Sequence, residues 1–411
     1  MSILRGNAVV GQSGGPTAEI NATLAGVIRG ALRAREAGAI DVLYGMRNGI
    51  EGFLREDLVN LFERFDCEEN LSVLEATPAA ALGSCRRKLK SHEADAETYA
   101  EILRILKKNN IRYFFYIGGN DSMDTVNKLS EYAASNDYEL RVVGVPKTID
   151  NDLMATDHTP GFGSAAKFVA TTFKEILRDV SVYTMKAVTI VEVMGRDAGW
   201  LTTSAALPVL SGGMGPDLIY LPERAFDVDK FIADIEAAFT RHPAVLVAVS
   251  EGIRLADGSY VGAGIGGKTD AFGHVQLSGA GKVLEGVVKE RLGCKVRSIE
   301  LNLPQRCASH IASLTDITES VNAGAGAVTA ALDGKSGVMM TIERLPGGEY
   351  KTRIGCTPVS SVANEVKTVP ADYINAEGNG VTEACLNYLA PLIVGELDIK
   401  YENGLPKHII I

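Results

Sequence analysis

The chain has 411 residues, enough for two or three domains at about 150 residues each. It carries 41 Lys and Arg against 51 Asp and Glu, and this net charge of −10 argues against partners such as nucleic acid or an anionic membrane. Apolar residues make up 46% and charged residues 22%, which argues against disorder and for large buried cores.

The sequence also indicates a compartment. No apolar run approaches the roughly 20 residues needed to cross a bilayer, and the first residues do not resemble a signal peptide. The six cysteines are scattered without a C-x-x-C pair, which is typical of reduced thiols. We therefore expect a soluble cytoplasmic protein.

Short apolar segments alternate with longer amphipathic segments along the chain. The pattern predicts strands at residues 7–10, 112–117, 140–145, 187–193 and 244–249. It predicts helices at residues 18–34, 97–108, 121–134 and 164–178, and a loop or hairpin in the glycine-rich stretch 258–281. Uninterrupted apolar strands that alternate with helices predict an α/β fold with open parallel sheets. In such sheets ligands bind beyond the carboxyl ends of the strands.

Two glycine-rich loops follow predicted strands at such ends. The first, at residues 11–17, contains Ser13, Gly14 and Gly15, and the second, at residues 118–122, contains Asn120 and Asp121. Backbone N–H groups at the start of a helix can bind an anion, and side-chain oxygens of Asn and Asp suit magnesium. A tight turn or a helix cap explains the same residues without any ligand.

The loop at residues 146–152 places Lys147 close to Asp150 and Asp152, directly after a strand. One carboxylate can accept a proton from a substrate hydroxyl while the other organises a metal ion. The lysine can neutralise charge on a transferring phosphoryl group. A solvated turn is the alternative, because loops rich in Asp and Asn are common at the surface.

Two later strands also end in charged residues. Met194, Gly195 and Arg196 follow the strand at 187–193, and Glu251 follows the strand at 244–249. Arg196 can bind a phosphate or a hydroxyl, and Glu251 can accept hydrogen bonds from sugar hydroxyls. A structural ion pair between Arg196 and Glu251 is the alternative.

Two further motifs do not support a function. Residues 262–267 match G-x-G-x-x-G, but no strand–helix unit surrounds them, so they do not indicate dinucleotide binding. Residues 279–282 only partly match a phosphate-binding loop. The histidines are isolated, which argues against a zinc site, and His274 is interpreted as a packing residue of the loop.

Taken together, these loops resemble the phosphofructokinase family, and within it the pyrophosphate-dependent branch. The matching segments, in chain order, are Ser13-Gly14-Gly15, Leu82-Gly83-Ser84 with Arg86, residues 118–122, residues 146–152, Met194-Gly195-Arg196, Glu251-Gly252, Arg297 and Gln305-Arg306. They cover most of the chain, and their order and spacing make the resemblance specific.

The resemblance implies two doubly wound parallel-sheet α/β domains with the active site in the cleft between them. Residues 1–160 would form the phosphoryl-donor domain, to which a segment near 306–355 would return, and residues 161–411 would mainly form the sugar-phosphate domain. The implied substrates are pyrophosphate and fructose 6-phosphate, the implied cofactor is Mg²⁺, and the implied assembly is a homodimer or homotetramer with a shared sugar-phosphate site.

The resemblance also implies a role for each site residue. Asp150 would be the base that takes the proton of the sugar C1 hydroxyl, with Lys147 and Asp121 beside it. The implied sugar-phosphate residues are Thr148, Ile149, Asp150, Met194, Gly195, Arg196, Glu251, Arg297, Leu303 and Arg306, with Arg297 reaching across a subunit interface. The implied pyrophosphate residues are Gly15, Arg86, Gly119 and Lys147, and the implied metal ligands are Asn120 and Asp152.

Asp121 and Lys147 predict the phosphoryl donor. ATP-using members of the family have glycine at both positions, and a carboxylate at 121 would repel and replace the α-phosphate of ATP. Lysine at 147, as in the pyrophosphate users, would stabilise charge on the departing phosphate. Both residues favour pyrophosphate.

Three residues depart from the family pattern. Asn120 stands where an acidic residue is usual, Leu303 stands where His or Tyr is usual, and Ala187, with Lys186 beside it, stands where ATP-dependent relatives have an arginine. Sedoheptulose 7-phosphate therefore stays open as an acceptor, and ATP stays open as a donor. A non-catalytic sugar-phosphate sensor and a nicotinamide oxidoreductase are alternatives from other classes.

Overall fold

The computed structural model describes residues 4–262, 279–362 and 365–411. Its strands are β1 (Gly6–Gln12), β2 (Ile40–Met46), β3 (Leu58–Asn60), β4 (Ile111–Gly118), β5 (Arg141–Pro146), β6 (Ala187–Val193), β7 (Leu218–Tyr220), β8 (Ala244–Ser250), β9 (Lys295–Glu300), β10 (Val338–Arg344), β11 (Thr352–Pro358), β12 (Tyr401–Glu402) and β13 (Leu405–Pro406). Its α-helices are α1 (Ile20–Glu36), α2 (Gly49–Leu54), α3 (Leu61–Arg64), α4 (Glu68–Ala76), α5 (Ala96–Lys108), α6 (Asn120–Ser135), α7 (Phe162–Val180), α8 (Trp200–Thr203), α9 (Val228–Phe239), α10 (Ala280–Leu292), α11 (Leu314–Leu332) and α12 (Glu383–Leu389). In these ranges no helix is both long and apolar enough to cross a membrane.

The first sheet has seven strands in the order β11-β10-β5-β4-β1-β2-β3. Its central strands are parallel, and they are buried because helices cover both faces. The predicted parallel arrangement is wrong at the two edges, where β3 pairs antiparallel with β2 and β11 pairs antiparallel with β10. Strand β11 follows β10 after residues 345–351, a connection too short for the crossover that parallel pairing needs.

The second sheet has four parallel strands in the order β7-β8-β6-β9. Strands β6 and β8, whose uninterrupted apolar runs indicated burial, form its centre and are almost fully buried. The predicted α/β fold with two sheets is therefore confirmed. The strands near 338–358 join the first sheet, while α12 packs in the core of the second sheet. The domain boundaries themselves stay a prediction.

Helix α1 begins two residues later than predicted. The Thr17 hydroxyl accepts a hydrogen bond from the Ile20 N–H group at 3.0 Å, and this bond satisfies one of the open donors at the start of the helix. Helix α1 then packs along α11 at very close range. A Cβ added at Gly26 would lie 2.1 Å from the Val321 carbonyl oxygen, and one added at Gly324 would lie 2.2 Å from the Thr23 carbonyl oxygen.

The predicted loop at 258–281 is wrong at its end, because α10 already begins at Ala280. The carboxylate of Glu192, from β6, accepts hydrogen bonds from the Gly279 and Gly281 N–H groups at 3.1 and 2.7 Å. A carboxylate of the chain itself therefore caps this helix, and residues 279–282 do not form an open phosphate site. His274 and most of the 262–267 motif lie outside the described residues.

Candidate active site

A cavity of about 410 Å³ lies where loops from both sheets converge. Strands β1, β4 and β5 of the first sheet supply one side, where the sequence predicts the phosphoryl donor and which we call the donor side. Strands β6 and β8 of the second sheet supply the opposite side. Fifteen of the predicted site residues line this cavity: Gly15, Arg86, Gly119, Asn120, Asp121, Lys147, Thr148, Ile149, Asp150, Asp152, Met194, Gly195, Arg196, Glu251 and Arg306. The site thus lies at the carboxyl ends of the strands, as is usual in open parallel sheets.

Contacts with neighbouring segments fix the conformation of the loop after β1. The Gly14 N–H group donates to the Cys85 carbonyl at 3.1 Å, and Gly14 has a φ of 79°, a conformation in which glycine carries no steric penalty. The hydroxyls of Ser13 and Ser122 are 2.6 Å apart and link this loop to the loop after β4. A Cβ at Gly118 would lie 2.0 Å from the Ser122 hydroxyl, so glycine is needed where these two loops meet.

Asp121 lies in the first turn of α6 and faces the cavity. Its carboxylate pairs with the Lys88 ammonium at 3.0 Å, and this pair raises the pKa of Lys88. The sequence predicts that a carboxylate at 121 would both repel the α-phosphate of a nucleotide and take its place. Because Lys88 compensates part of the Asp121 charge, the repulsive part of that prediction is weakened, while the side chain still occupies space in the cavity.

Lys147 is 3% exposed, and its ammonium group donates to the Gly15 carbonyl at 2.6 Å. Burial lowers the pKa of Lys147 to about 8, so the group stays mostly charged at neutral pH. This contact directs the lysine charge to the glycine loop after β1, which is the donor side of the cavity.

Asp150 and Asp152 both lie half-buried in the cavity wall. Burial raises the pKa of Asp150, although the nearby Arg196 and Lys147 charges act in the opposite direction. Burial and the neighbouring Asp150 carboxylate raise the pKa of Asp152 to about 7. A carboxylate with a raised pKa holds a proton more strongly, which suits proton acceptance from a substrate hydroxyl.

Arg306 lies closer to the donor side than its predicted role suggests. A Cβ added at Gly15 would be 3.4 Å from the Arg306 guanidinium. Burial, and then the like charge of Arg86, lower the pKa of Arg306. Two guanidinium groups and the Lys147 ammonium thus share one cavity, an arrangement that an anionic ligand would stabilise.

On the opposite side, the loop after β6 is fastened to the end of β8. The Glu251 carboxylate accepts hydrogen bonds from the Gly195 and Arg196 N–H groups at 3.2 and 3.1 Å. Burial and then the Asp150 charge raise the pKa of Glu251 to about 7. A Cβ at Gly252 would lie 1.5 Å from the Arg196 carbonyl oxygen, so this approach requires glycine.

Arg297 and Leu303, two of the predicted sugar residues, do not line the cavity. Arg297 lies exposed on the edge strand β9, and the Leu303 side chain is 58% exposed. Lys186, beside Ala187, places its ammonium group 5.1 Å from the centre of the Phe239 ring and away from the cavity.

Sequence reasoning missed several residues of the site. Lys88 and Val366 line the cavity, and the side-chain amide oxygen Oε1 of Gln305 accepts a hydrogen bond from the Met194 N–H group at 3.2 Å. Gln305 directly precedes Arg306 in the segment that resembles the family, and this position was the available signal. Neither Lys88 nor Val366 directly follows a strand, and the tertiary fold brings both to the cavity.

The cavity has donors for a divalent cation but no complete cage. In the described part of the chain, no three His, Cys, Asp or Glu side chains come close enough to hold a metal ion. Asn120 and Asp152 both line the cavity and offer oxygen ligands. Mg²⁺ typically binds one or two carboxylates together with substrate phosphates and water, so this sparse set fits magnesium bound with a phosphate substrate.

Comparisons with known proteins agree on one family. Residues 7–331 match the family described as Phosphofructokinase. A pyrophosphate–fructose 6-phosphate 1-phosphotransferase of Xanthomonas campestris pv. campestris (strain B100) is 45% identical, over 98% of this chain and 96% of the relative. A protein of the same name from Halomonas elongata is 42% identical, over 98% of this chain and 95% of the relative. The crystal structure of a pyrophosphate-dependent phosphofructokinase from Nitrosospira multiformis matches with a TM-score of 0.88 and 38% identity, over 98% of this chain and 96% of that one.

Proposed function

Because the chain belongs to the phosphofructokinase family, we infer that it transfers a phosphoryl group from pyrophosphate to the C1 hydroxyl of fructose 6-phosphate. The products are fructose 1,6-bisphosphate and phosphate, and the reaction is reversible. The observation that carries this proposal is the presence of Asp150, Lys147 and Asp121 in one cavity that four arginines also line. The names of the relatives, which span nearly the whole chain, support the same reaction.

In this proposal the sugar phosphate binds against the second sheet and the adjoining part of the 146–152 loop. Thr148, Ile149, Met194, Gly195, Arg196 and Glu251 contact the sugar, and Arg306 binds its 6-phosphate. Because Arg306 also lies beside Gly15 and Arg86, its charge would act on the phosphoryl group in transit as well. For Leu303, which does not line the cavity, we propose no direct contact with the sugar, only a position near Arg306 in the chain.

Pyrophosphate binds on the other side, to Gly15, Arg86, Gly119 and Lys147. Asp150 accepts the proton of the C1 hydroxyl as the oxygen attacks, and the raised pKa of Asp150 favours this transfer. The Lys147 ammonium, held against the Gly15 carbonyl, stabilises the charge that grows on the departing phosphate. A bound Mg²⁺ ion, which Asp152 and Asn120 would help to hold, would neutralise charge on the phosphoryl groups.

We also propose a homodimer or homotetramer in which Arg297 reaches the sugar-phosphate site of a neighbouring subunit. Its exposed position on an edge strand supports this role, since the residue lines no part of the cavity in its own subunit.

The cytoplasm is the proposed compartment, because all six cysteines lie in the described part of the chain and none forms a disulfide there.

The decisive experiment compares donors in one coupled assay. We expect the purified protein to use pyrophosphate with fructose 6-phosphate and to use ATP at least 100-fold less efficiently in kcat/KM. Preference for ATP would overturn the donor assignment, and no turnover with either donor would favour a sugar-phosphate sensor. Replacement of fructose 6-phosphate by sedoheptulose 7-phosphate in the same assay tests the acceptor, and an assay with nicotinamide cofactors tests the oxidoreductase alternative.

Two variants test the structural basis of the donor preference. Asp121→Gly should admit ATP and weaken pyrophosphate use, because it removes the side chain that fills the nucleotide side of the cavity. Lys147→Gly should lower kcat with pyrophosphate more than it raises KM, since its charge matters most as phosphate departs. An Asp121→Gly variant whose ratio of kcat/KM values for the two donors matches the wild type would contradict this explanation.

A further inference from the structure

Asn151 stands between the two carboxylates of the 146–152 loop and is fully buried. Its backbone has a φ of 54°, a left-handed conformation that Asn tolerates better than most residues. Its side-chain amide oxygen Oδ1 accepts hydrogen bonds from the Thr159 N–H group and the Lys367 ammonium, both at 3.1 Å. Its amide group donates to the Tyr388 hydroxyl at 3.1 Å. The peptide that carries the proposed base is therefore fixed through the side chain of Asn151.

Lys367 is bound to this loop by its side chain and by its backbone. Besides Asn151, its ammonium group donates to the carbonyls of Thr156 and Asp157 at 3.2 and 2.8 Å. Its own N–H group donates to the Asp152 carbonyl at 2.8 Å. An ammonium group has three N–H donors, and these three oxygens use all of them. No donor is left for a phosphate, so Lys367 is suited to hold the loop and not to bind substrate.

We infer that Lys367 is a positioning residue, which orients Asp150 and Asp152 by fixing Asn151 between them. The inference rests on the proposed function, because it assigns these two carboxylates to the reaction. Lys367 lies after residue 331, where the match to the family ends, so a later part of the chain supplies this support. Its backbone carbonyl accepts a hydrogen bond from the Trp200 indole at 2.8 Å, which anchors Lys367 to the second sheet's side of the molecule.

The test is Lys367→Met, which keeps the length of the side chain and removes its donors. We expect kcat with pyrophosphate to fall by about 10- to 100-fold, because a small misplacement of reacting groups costs about this much. KM for both substrates should stay within about threefold, since the residues that contact them are unchanged. Lys367→Arg, which restores hydrogen-bond donors, should recover part of kcat.

The matched control is Lys167→Met. The Lys167 ammonium also fastens the last part of the chain, since it donates to the Gly395 carbonyl at 2.6 Å and pairs with Glu396 at 2.8 Å, but it does not contact the 146–152 loop. We expect Lys167→Met to lower the free energy of unfolding by about as much as Lys367→Met does, and to keep kcat within twofold of the wild type.

The possible outcomes distinguish a failure of this inference from a failure of the proposed function. A Lys367→Met variant that behaves like Lys167→Met, with reduced stability and unchanged kcat, would overturn the positioning role. A wild-type protein that does not use pyrophosphate would overturn the proposed function first. If Lys367→Met does not fold, Tyr388→Phe removes one hydroxyl partner of Asn151, and kcat should then fall about threefold to tenfold; an unchanged kcat there would contradict the inference.

Discussion

At the scale of single residues, burial acts in opposite directions on two groups of one loop. It lowers the pKa of Lys147 and raises the pKa of Asp150, so both shifts favour the neutral forms. Each residue also compensates part of the other's charge. The fold therefore keeps a carboxylate and a cation together in a cavity whose burial alone would favour the neutral form of each.

The first prediction concerns the base. Asp150→Asn should lower kcat by about 10² to 10⁴, the usual loss when general-base help is removed, while KM for the sugar changes far less. Steady-state kinetics in the forward direction measure this. Asp137→Asn, at an exposed turn after α6, is the control and should leave kcat unchanged. A near-normal kcat in Asp150→Asn would show that Asp150 is not the general base.

The second prediction concerns the pair of Lys88 and Asp121. Lys88→Met should raise KM for pyrophosphate, because the Asp121 carboxylate then faces the donor without compensation. The coupling should be up to about fivefold, since half-exposed ion pairs contribute about 0.2–1 kcal/mol. A double-mutant cycle with Asp121→Asn measures it. Strictly additive effects would mean that Lys88 acts on the phosphates directly and not through Asp121.

Individual site residues were predictable where they follow a strand. Asp150, Arg196 and Glu251 lie at strand ends with glycine or proline nearby, and the structure brings all three to one cavity. Lys88 and Lys367 carry no such local signal. Lys88 reaches the site through Asp121, which lies 33 positions away in the sequence. Lys367 reaches it through Asn151, which lies 216 positions away.

At the scale of elements, the sequence predicted β1, β4, β5, β6 and β8 and missed the other strands, among them the interior strands β2 and β10. Strand β9 alternates exposed and half-buried residues at a sheet edge, and β10 and β11 lie among glycines. Helix α11 was also missed, because it contains Gly324 and Gly326 in its interior, and each glycine costs about 1 kcal/mol of helix propensity. The close packing of α11 against α1, which no local pattern reveals, offsets that cost.

The third prediction tests this helix contact. Gly26→Ala should lower the free energy of unfolding by about 1–3 kcal/mol, because the new Cβ would overlap the Val321 carbonyl oxygen. Urea denaturation measures the change. The control is Gly286→Ala in α10, where an added Cβ meets no atom within 4 Å. Gly286→Ala should stabilise by about 0.5–1 kcal/mol. Equal effects in both helices would show that α1 and α11 can move apart at little cost.

At the scale of the whole molecule, a buried charge network joins the first sheet to the segment that follows the 146–152 loop. The His158 ring lies 2.8 Å from the Asp157 carboxylate and 2.7 Å from the Glu319 carboxylate. Arg344 pairs with Asp157, and Tyr350 donates to Glu319. Burial alone would lower the pKa of His158, but its hydrogen bonds to the two carboxylates outweigh burial and raise it.

The fourth prediction follows from the sign of that shift. A histidine whose pKa is raised by folding stabilises fully below its unfolded pKa of about 6.5, and this stabilisation is lost as pH rises through the folded pKa. The stability difference between wild type and His158→Gln should therefore be largest near pH 6, on the order of 3 kcal/mol, and should shrink towards pH 9. Urea titrations between pH 5.5 and 9 measure it, above the range where Asp157 and Glu319 protonate.

The half-exposed His92 provides the comparison, since its side chain is 42% exposed. His92→Gln should change stability little at any pH in this range. A difference for His158→Gln that grows as pH rises would mean that the buried ring is neutral in the folded protein.

The path of the chain through the two sheets has a consequence for synthesis on the ribosome. The first sheet is interrupted after β5, and its next strand, β10, is made only after the whole second sheet. Until β10 emerges, a nascent chain would leave β5 as an open edge and α1 without the helix that packs on it. The folding of the amino-terminal half is thus tied to completion of the carboxyl-terminal half. Chaperones that cover strand edges should therefore engage this chain late, between the emergence of β5 and that of β10.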